Sequence, residues 1–295
     1  MPDLPTSMSV SPLTARKTWR TVEPLHGMIY FAPESGRSYA RLGLEGTAGY
    51  FASRAAAMGA VGAETVIATF YNFNPDLVRA AIPSAWAASS PATVLEARLE
   101  AADAALRRML GDAVTSDEMG RAAGLARRAA ERAGEHYEGR PLFAAHAGLP
   151  WPEQPHLALW HAQTLLREFR GDGHITVLLR SDLDPVEALV LHLASGELPG
   201  NFLRASRGWP EDTWEAGVWR LVDRGLVQRS EPTDGEPADV VLTDQGTALR
   251  MEMEDATDRL AVRPYEAIGE DGCDELRALA RPFSRAVVDA AGLQP

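Results

Sequence analysis

The sequence contains very little lysine and little positive charge overall. Lysine occurs once, at Lys17, and the 295 residues include 29 lysines and arginines together against 41 acidic residues, which gives a formal net charge of −12. Proteins that bind nucleic acids normally present a basic surface, because Lys and Arg side chains replace the counterions that the phosphates release. The charge balance therefore argues against DNA as a partner and favours small molecules or other proteins.

Cysteine and long apolar segments are equally scarce. The single cysteine, Cys273, excludes an internal disulfide and fits a reducing cytoplasm, and the acidic residues around it in EDGCDEL argue against a nucleophilic thiolate. No segment approaches the roughly 20 apolar residues of a membrane-spanning helix, and the first residues lack the apolar core of a signal peptide. We therefore expect a cytoplasmic protein that has no membrane partner. Frequent Ala, Arg, Gly and Leu beside one Lys is typical of a GC-rich bacterial genome.

The most specific pattern lies in residues 211–260. EDTWEAGVWRLVDRGLV predicts a helix that ends at a glycine, QRSEPTDGEPADVVLTDQG predicts two short strands, and TALRMEMEDATDRL predicts another helix. The segments RLVDRGLV and LTDQG resemble the recognition helix and the wing of MarR-type winged-helix proteins, and that resemblance implies a regulatory DNA-binding fold. The local charge conflicts with DNA binding, because three arginines are accompanied by eight acidic residues. The acidic residues are Glu211, Asp212, Glu215, Asp223, Glu231, Asp234, Glu236 and Asp239, and the arginines are Arg220, Arg224 and Arg229.

Segments along nearly the whole chain resemble one family. They are EPLHGMIYFAPE, ASRAAAMGAV, FYNFNP, GRPLFAAH, LWHAQTLLREFRGDGH and the winged-helix tail. On these segments the chain resembles an actinobacterial helix-turn-helix family of MarR-like proteins. The resemblance implies the fold and a regulatory role, but it implies no particular ligand or reaction.

We predict a mostly α-helical, MarR-like winged-helix fold with one small β-wing. The order of the helical segments is similar in the two halves of the chain, so we expect two pseudo-repeated units, an intramolecular version of a homodimeric fold. The predicted divisions are a disordered tail at 1–13, an N-terminal helical unit without a wing at 14–135, a connector at 136–155 and a C-terminal winged-helix unit at 156–295. Such a chain would be a monomer or a homodimer.

The densest polar segment is WHAQTLLREFRGDGH, residues 160–174. Gly171 and Gly173 predict a break in its helix, with Asp172 capping the helix that follows. A salt-bridged helix end would explain the segment, and so would a polar pocket beside the core. Its candidate side chains are Trp160, His161, Arg167, Glu168, Arg170, Asp172 and His174.

A second polar cluster lies in EPLHGMIYFAPE, where Glu23, His26 and Tyr30 are spaced three and four residues apart and can line one helix face. If the two halves are repeats, His26 and His174 occupy matching positions at helix starts and face each other. With Glu23 and Asp172 they would form a divalent-metal site, and either histidine could be an axial ligand of haem. No HExxH or CxxC pattern supports a metal, and a lone histidine is more often a packed or a surface residue.

Two other segments hold candidate ligand contacts. FYNFNP, residues 70–75, could line an apolar cavity in which Asn72 and Asn74 supply the polar contacts. Alternatively, its phenylalanines belong to the core and Asn74-Pro75 ends a helix. Arg54, expected near a helix start, could bind an anionic group.

These patterns favour a small-molecule-binding protein on a winged-helix scaffold that has lost DNA binding, with a cavity between the two units. It could be an enzyme of specialised metabolism that uses a histidine as general base and a carboxylate to orient it. The alternatives are a ligand-responsive MarR-like transcriptional regulator and a metal- or haem-binding protein that uses His26 and His174. The predicted catalytic groups are His26, Glu168, Asp172 and His174, and the predicted ligand contacts are Tyr30, Arg54, Asn72, Asn74, Trp160, His161, Arg167 and Arg170.

Overall fold

The computed structural model describes residues 10–196, 200–230 and 239–291, with side chains omitted at 200–202. These residues form fourteen α-helices and one two-stranded sheet, which confirms the predicted mostly helical class with a small wing. The elements are α1 Pro12–Gly27, α2 Pro33–Ala40, α3 Gly46–Ala55, α4 Ala63–Phe70, α5 Pro75–Ala88, α6 Pro91–Leu110, α7 Asp117–Ala133, α8 Pro141–Ala147, α9 Pro155–Arg180, α10 Pro185–Leu193, α11 Gly200–Arg207, α12 Glu211–Asp223, β1 Val227–Arg229, β2 Val240–Leu242, α13 Asp244–Leu260 and α14 Gly269–Ala291.

The chain divides into two compact units that alternate along the sequence. Unit 1 is Met1–Val61, Ala81–Gly173 and Asp258–Pro295, and unit 2 is Gly62–Ala80 and His174–Thr257. The predicted division was different, because it placed a connector at 136–155. That segment lies inside unit 1 and contains α8. Each unit consists of separate segments, so neither unit corresponds to one half of the sequence. Three of the boundaries between the segments fall within helices.

Serine side chains fix the starts of three helices in unit 1. Ser11, Ser90 and Ser116 each accept a hydrogen bond from the backbone N–H three residues later, and they cap α1, α6 and α7. Such a cap satisfies one of the backbone donors that a helix start leaves unpaired. The predicted tail at 1–13 was therefore too long, since Val10 is buried and α1 begins at Pro12. Residues 1–9 lie outside the described part.

The core of unit 1 combines alanine-rich helices with a few large side chains. Helix α14 packs against α1, α6 and α7. The buried face of α7 consists mainly of alanines, and small side chains allow helix axes to approach closely. Phe51, Phe143 and Phe169 are completely enclosed. Burial of such side chains is the main stabilising contribution to the fold, at about 1.5–3 kcal/mol each.

Helix α9 does not break at the predicted Gly171-Asp172-Gly173 position but continues to Arg180. A helical glycine costs about 1 kcal/mol relative to alanine, and tertiary contacts offset that cost here. A Cβ atom at Gly173 would lie 2.8 Å from Nη1 of Arg140, and this nitrogen donates a hydrogen bond to the carbonyl oxygen of Phe169 at 2.6 Å. The glycine therefore makes room for an arginine that binds the backbone of α9.

Unit 2 contains the winged-helix segment. Helices α10 and α12 pack together, with Val190, Trp214, Val218 and Leu221 in the core. Strands β1 and β2 are antiparallel, with Val227 opposite Leu242. The wing predicted between these residues is therefore confirmed at its base. Its tip, which includes Glu231, Asp234 and Glu236, lies outside the described residues.

The LTDQG motif joins the wing to α13. The Thr243 hydroxyl donates to the carbonyl oxygen of Gly225 at 2.6 Å and accepts from the N–H of Gly246 at 3.0 Å. A Cβ atom at Gly246 would lie 1.9 Å from the carbonyl oxygen of Leu226, so a larger residue cannot occupy the position without movement. Gly225 has a φ of 70°, a conformation that glycine adopts at low cost after a helix end. The turn between the wing and α13 therefore requires Thr243 for its hydrogen bonds and Gly246 for its close packing.

Among the described residues, no helix combines the length and the apolar character needed to cross a membrane.

Candidate functional site

His26 is the centre of a buried polar network in unit 1. Its side chain is completely buried in the last turn of α1, where Nδ1 lies 2.8 Å from the Thr164 hydroxyl and Nε2 lies 2.9 Å from the Tyr30 hydroxyl. Its ring stacks on that of Trp160, with centroids 6.0 Å apart and an interplanar angle of 13°. Both nitrogens therefore already have partners within the unit.

The hydroxyl of Thr164 determines the tautomer of His26. It donates a hydrogen bond to the carbonyl oxygen of Trp160 at 3.0 Å, so it accepts a hydrogen bond from the N–H group at Nδ1 of His26. Nε2 of His26 then carries a lone pair and accepts a hydrogen bond from the Tyr30 hydroxyl. Burial, and after it the positive charge of Arg167, lowers the pKa of His26 well below its usual value, so the ring is neutral at pH 7. Burial also raises the pKa of Tyr30, so a hydrogen bond between the neutral phenol and the neutral imidazole is the stable arrangement.

Two guanidinium groups lie beside Tyr30. The Cζ atoms of Arg167 and Arg54 lie 5.3 and 5.8 Å from the centre of its ring, within the range of cation–π attraction. Arg54 also donates to the Tyr50 hydroxyl at 3.1 Å. Arg54 was expected near a helix start, but it lies in the last turn of α3.

Two carboxylates compensate these two arginines. Arg167 donates from Nε to Glu23 at 2.7 Å and from Nη1 to Glu168 at 3.1 Å, and Nη2 of Arg54 lies 3.5 Å from Glu168. Burial would raise the pKa of Glu168, but the charges of Arg54 and Arg167 outweigh it and lower the pKa to about 2. At Glu23 burial outweighs Arg167, and the pKa is raised. Glu168 is therefore a fixed negative charge at pH 7.

Arg98 and His146 also belong to this network, although neither was among the site residues predicted from the sequence. Arg98 lies on α6 with its Cζ atom 5.0 Å from the centre of the Trp160 ring. His146 lies in the last turn of α8, and burial followed by the charge of Arg98 lowers its pKa to about 3. One signal was present for Arg98. It occupies the apolar stripe of α6, four residues after Val94 and three before Ala101, where a charged side chain is rare.

Several buried polar atoms of the network have no hydrogen-bond partner among the residues that the structure describes. They are Nε and Nη2 of Arg98, both ring nitrogens of His146, Nε1 of Trp160, Nε2 of His161 and Oε1 of Gln163. Buried polar groups are nearly always paired, because leaving one unpaired costs about 1–3 kcal/mol. A concentration of such groups in one unit is typical of a site that is completed by a ligand or by water.

Three other predicted site residues make close contacts with different partners. Asp172 caps α8 and not a helix that begins after it, since its carboxylate accepts from the N–H groups of Leu142 and Phe143 at 3.1 and 2.9 Å. Arg170 forms an ion pair with Asp258 at 3.0 Å. His174 lies in unit 2, inside α9, and its Nδ1 atom is 3.0 Å from the hydroxyl of Thr257.

The expectation that His26 and His174 occupy matching helix starts was wrong, because His26 lies near the end of α1 and His174 lies within α9. The described residues contain no group of three or more His, Cys, Asp and Glu side chains placed to hold a metal ion. The predicted metal set of Glu23, His26, Asp172 and His174 therefore does not form such a group. The Cys273 thiol is buried, and burial raises its pKa to about 11, in agreement with an unreactive cysteine.

The FYNFNP segment packs within unit 2. Asn74 donates through its side chain to the carbonyl oxygen of Gly208 at 2.7 Å and accepts from the N–H of Asp76 at 2.9 Å. The carbonyl oxygen of Asn72 accepts from the indole N–H of Trp209 at 3.0 Å. Phe70 and Phe73 are buried. These contacts support the structural alternative for the segment, in which the phenylalanines belong to the core.

The recognition-type helix α12 follows α10 and α11 in unit 2 and leads directly into the wing. This order of helices and strands is that of a winged helix-turn-helix. A model of a helix-turn-helix family matches residues 15–295. The chain belongs to this helix-turn-helix family. No curated protein and no solved structure matched the chain significantly.

In this helix-turn-helix protein the arginines near α12 are already engaged within unit 2. Arg220 pairs with Asp184 and Glu187, Arg224 with Glu187, Arg229 with Glu215, and Arg204 with Glu211. Arg207 lies over the ring of Phe73 at 4.7 Å. The described residues of unit 2 contain eight arginines and fourteen carboxylates. The charge on this surface is therefore unfavourable for phosphate contacts.

Proposed function

We propose that this helix-turn-helix protein binds a small molecule in the buried polar network of unit 1. The observation that carries the proposal is the group of buried donors and acceptors without partners around Arg98, His146 and Trp160. Ligand sites combine aromatic walls with a few convergent polar groups, and the network has both. Tyr30, Tyr50 and Arg167 are only partly buried, so the network extends from the protein surface to the interior.

We also propose that the MarR-like segment α12–β1–β2–α13 serves as a scaffold and does not bind DNA. The support is its charge, since each of the arginines at 204, 220, 224 and 229 is paired with a carboxylate of the same unit. Binding phosphates would require these ion pairs to break. Specific protein–DNA complexes depend on cationic contacts that are free to replace counterions.

The ligand proposal can be tested by mass spectrometry. The full chain, purified under native conditions from its source cells, is measured intact and again after denaturation, and small molecules that are released only on denaturation are identified. We expect one released species at a stoichiometric amount. Replacement of Arg98 by Met should abolish its retention, whereas replacement of the exposed Arg107 on the same helix should not. Retention that is equal in both variants would place the ligand elsewhere.

A second candidate function, a ligand-responsive transcriptional regulator, is favoured by the family to which the chain belongs. Fluorescence anisotropy with labelled genomic fragments at low salt distinguishes the two functions. Our proposal predicts no sequence-specific complex and no effect of the released ligand on anisotropy. Specific binding that competitor DNA of random sequence does not remove would instead establish the regulator.

The geometry gives an enzymatic role less support. The predicted catalytic arrangement was a histidine oriented by a carboxylate, but His26 is held by the hydroxyls of Thr164 and Tyr30. Burial raises the pKa of Tyr30 and lowers that of His26, which disfavours proton transfer between the two side chains. We therefore include no reaction in the proposal.

A further inference from the structure

The guanidinium group of Arg98 is buried and has no ion-pair partner among the described residues, although its charge acts on Glu168 from a longer distance. Its side chain is 3% exposed. Within the residues that the structure describes, the two neighbouring arginines of the network use the two available carboxylates, because Arg54 pairs with Glu168 and Arg167 with Glu23 and Glu168. Arg98 forms no ion pair in this part of the chain. Its contact with the face of the Trp160 ring stabilises the cation but leaves Nε and Nη2 without acceptors.

The other unpaired groups near Arg98 include two further N–H donors. The indole Nε1 of Trp160, a side chain that is 4% exposed, has no acceptor. His146 is 1% exposed and neither of its nitrogens has a partner. A neutral imidazole always carries one N–H. The guanidinium, the indole and the imidazole therefore carry N–H groups that can donate hydrogen bonds to a bound ligand.

We propose that the group recognised at Arg98 is the carboxylate of an organic monoanion, with Trp160 and His146 as further donors. This inference rests on the proposed ligand-binding function. The network contains three guanidinium groups and two carboxylates, so one negative charge neutralises it. A carboxylate offers two oxygens in the plane of the guanidinium and accepts two parallel hydrogen bonds from it. Phosphate in its doubly charged form would leave an excess negative charge in a buried site.

Two pairs of probes test the charge of the ligand. Acetate and benzoate are compared with their neutral analogues acetamide and benzamide at matched ionic strength, using the thermal midpoint of the full chain and calorimetric titration. We expect at least one carboxylate to raise the midpoint while its amide does not. Arg98→Met should weaken that carboxylate at least 10-fold, and Arg107→Met, on the exposed face of the same helix, should leave its Kd unchanged. Arg98→Lys, which keeps the charge and loses the planar fork, should bind between the two.

The unliganded protein provides a second measurement that does not depend on the choice of probe. Removal of a buried charge that has no ion-pair partner relieves a desolvation cost, so Arg98→Met should raise the midpoint of the ligand-free protein. Arg107→Met should not raise it. A lower midpoint for Arg98→Met would show that the guanidinium stabilises the fold through Trp160, and it would overturn the inference.

The outcomes separate the inference from the function on which it rests. If neither carboxylate exceeds its amide, or if inorganic phosphate binds more tightly than both carboxylates, the carboxylate assignment is overturned. If the ligand released in mass spectrometry is neutral or cationic, the ligand-binding function stands and only the anion inference fails. If no species is released and Arg98→Met lowers the midpoint, both fail.

Discussion

Replacing Glu168 with glutamine should destabilise unit 1 by about 3 kcal/mol at pH 7. The carboxylate lies 3.1 Å from Nη1 of Arg167 and 3.5 Å from Nη2 of Arg54, and its side chain is only 4% exposed. The magnitude follows from the lowered pKa. A shift from 4.5 to about 2 corresponds to about 3 kcal/mol, at about 1.4 kcal/mol for each pH unit. Loss of one partner from a buried ion pair has a cost of the same order.

The pH dependence of this difference is specific to Glu168. Because the pKa of Glu168 is lower in the folded protein than in the unfolded chain, its contribution is complete above pH 4.5 and is lost as the pH falls towards 2. The glutamine variant cannot titrate at this position. The difference in unfolding free energy between wild type and Glu168→Gln should therefore be largest near pH 6–7 and decrease below pH 4.5.

Urea denaturation of both proteins between pH 7 and pH 3 measures this difference. The matched control is Glu131→Gln, which removes an i,i+4 ion pair with Arg127 on the exposed surface of α7. Exposed pairs of this kind contribute little, so the control should unfold like the wild type at every pH. A difference for Glu168→Gln that is as small as that of the control, or that does not change with pH, would refute the ionic account of the network.

Three further predictions concern Gly246, Asp172 and Asp184. Gly246→Ala should destabilise unit 2 by about 1–3 kcal/mol in denaturant unfolding, because its Cβ atom would lie 1.9 Å from the carbonyl oxygen of Leu226; Gly120→Ala, with nothing within 4 Å on α7, should instead stabilise by about 0.5–1 kcal/mol. Asp172→Asn should gain stability relative to wild type as the pH rises from 4 to 7, because burial raises the pKa of Asp172 from 3.8 to about 7 and the charged form is disfavoured in the fold; parallel pH curves would contradict this. Asp184→Ala removes the capping box of α10 and should cost about 1 kcal/mol, which Asp184→Asn should largely restore.

The sequence by itself determined the features that depend on neighbours a few residues away. The wing was predicted from the resemblance of RLVDRGLV and LTDQG to a winged-helix pattern, and the structure gives the physical reason for two of these residues, since Gly225 has a positive φ and Gly246 has no room for a Cβ atom. The capping pattern Thr115-x-x-Glu118 predicts a helix start at α7, although the residue that caps the helix is Ser116. The excess of acidic residues over arginines in residues 211–239 is likewise a property of the sequence alone. The predicted duplication of the two halves remains a prediction.

Only the tertiary structure decided which polar side chains lie together. His26 and Thr164 are separated by 138 residues, and Arg167 and Glu23 by 144, so no local pattern could pair them. The continuity of α9 was mispredicted for the same reason. Local propensity disfavours Gly171-Asp172-Gly173 in a helix, but the guanidinium of Arg140 and the N–H groups of α8 bind this stretch from elsewhere in unit 1. Arg98 and His146 became candidates only when burial showed that their donors lack partners, and burial is a property of the folded chain.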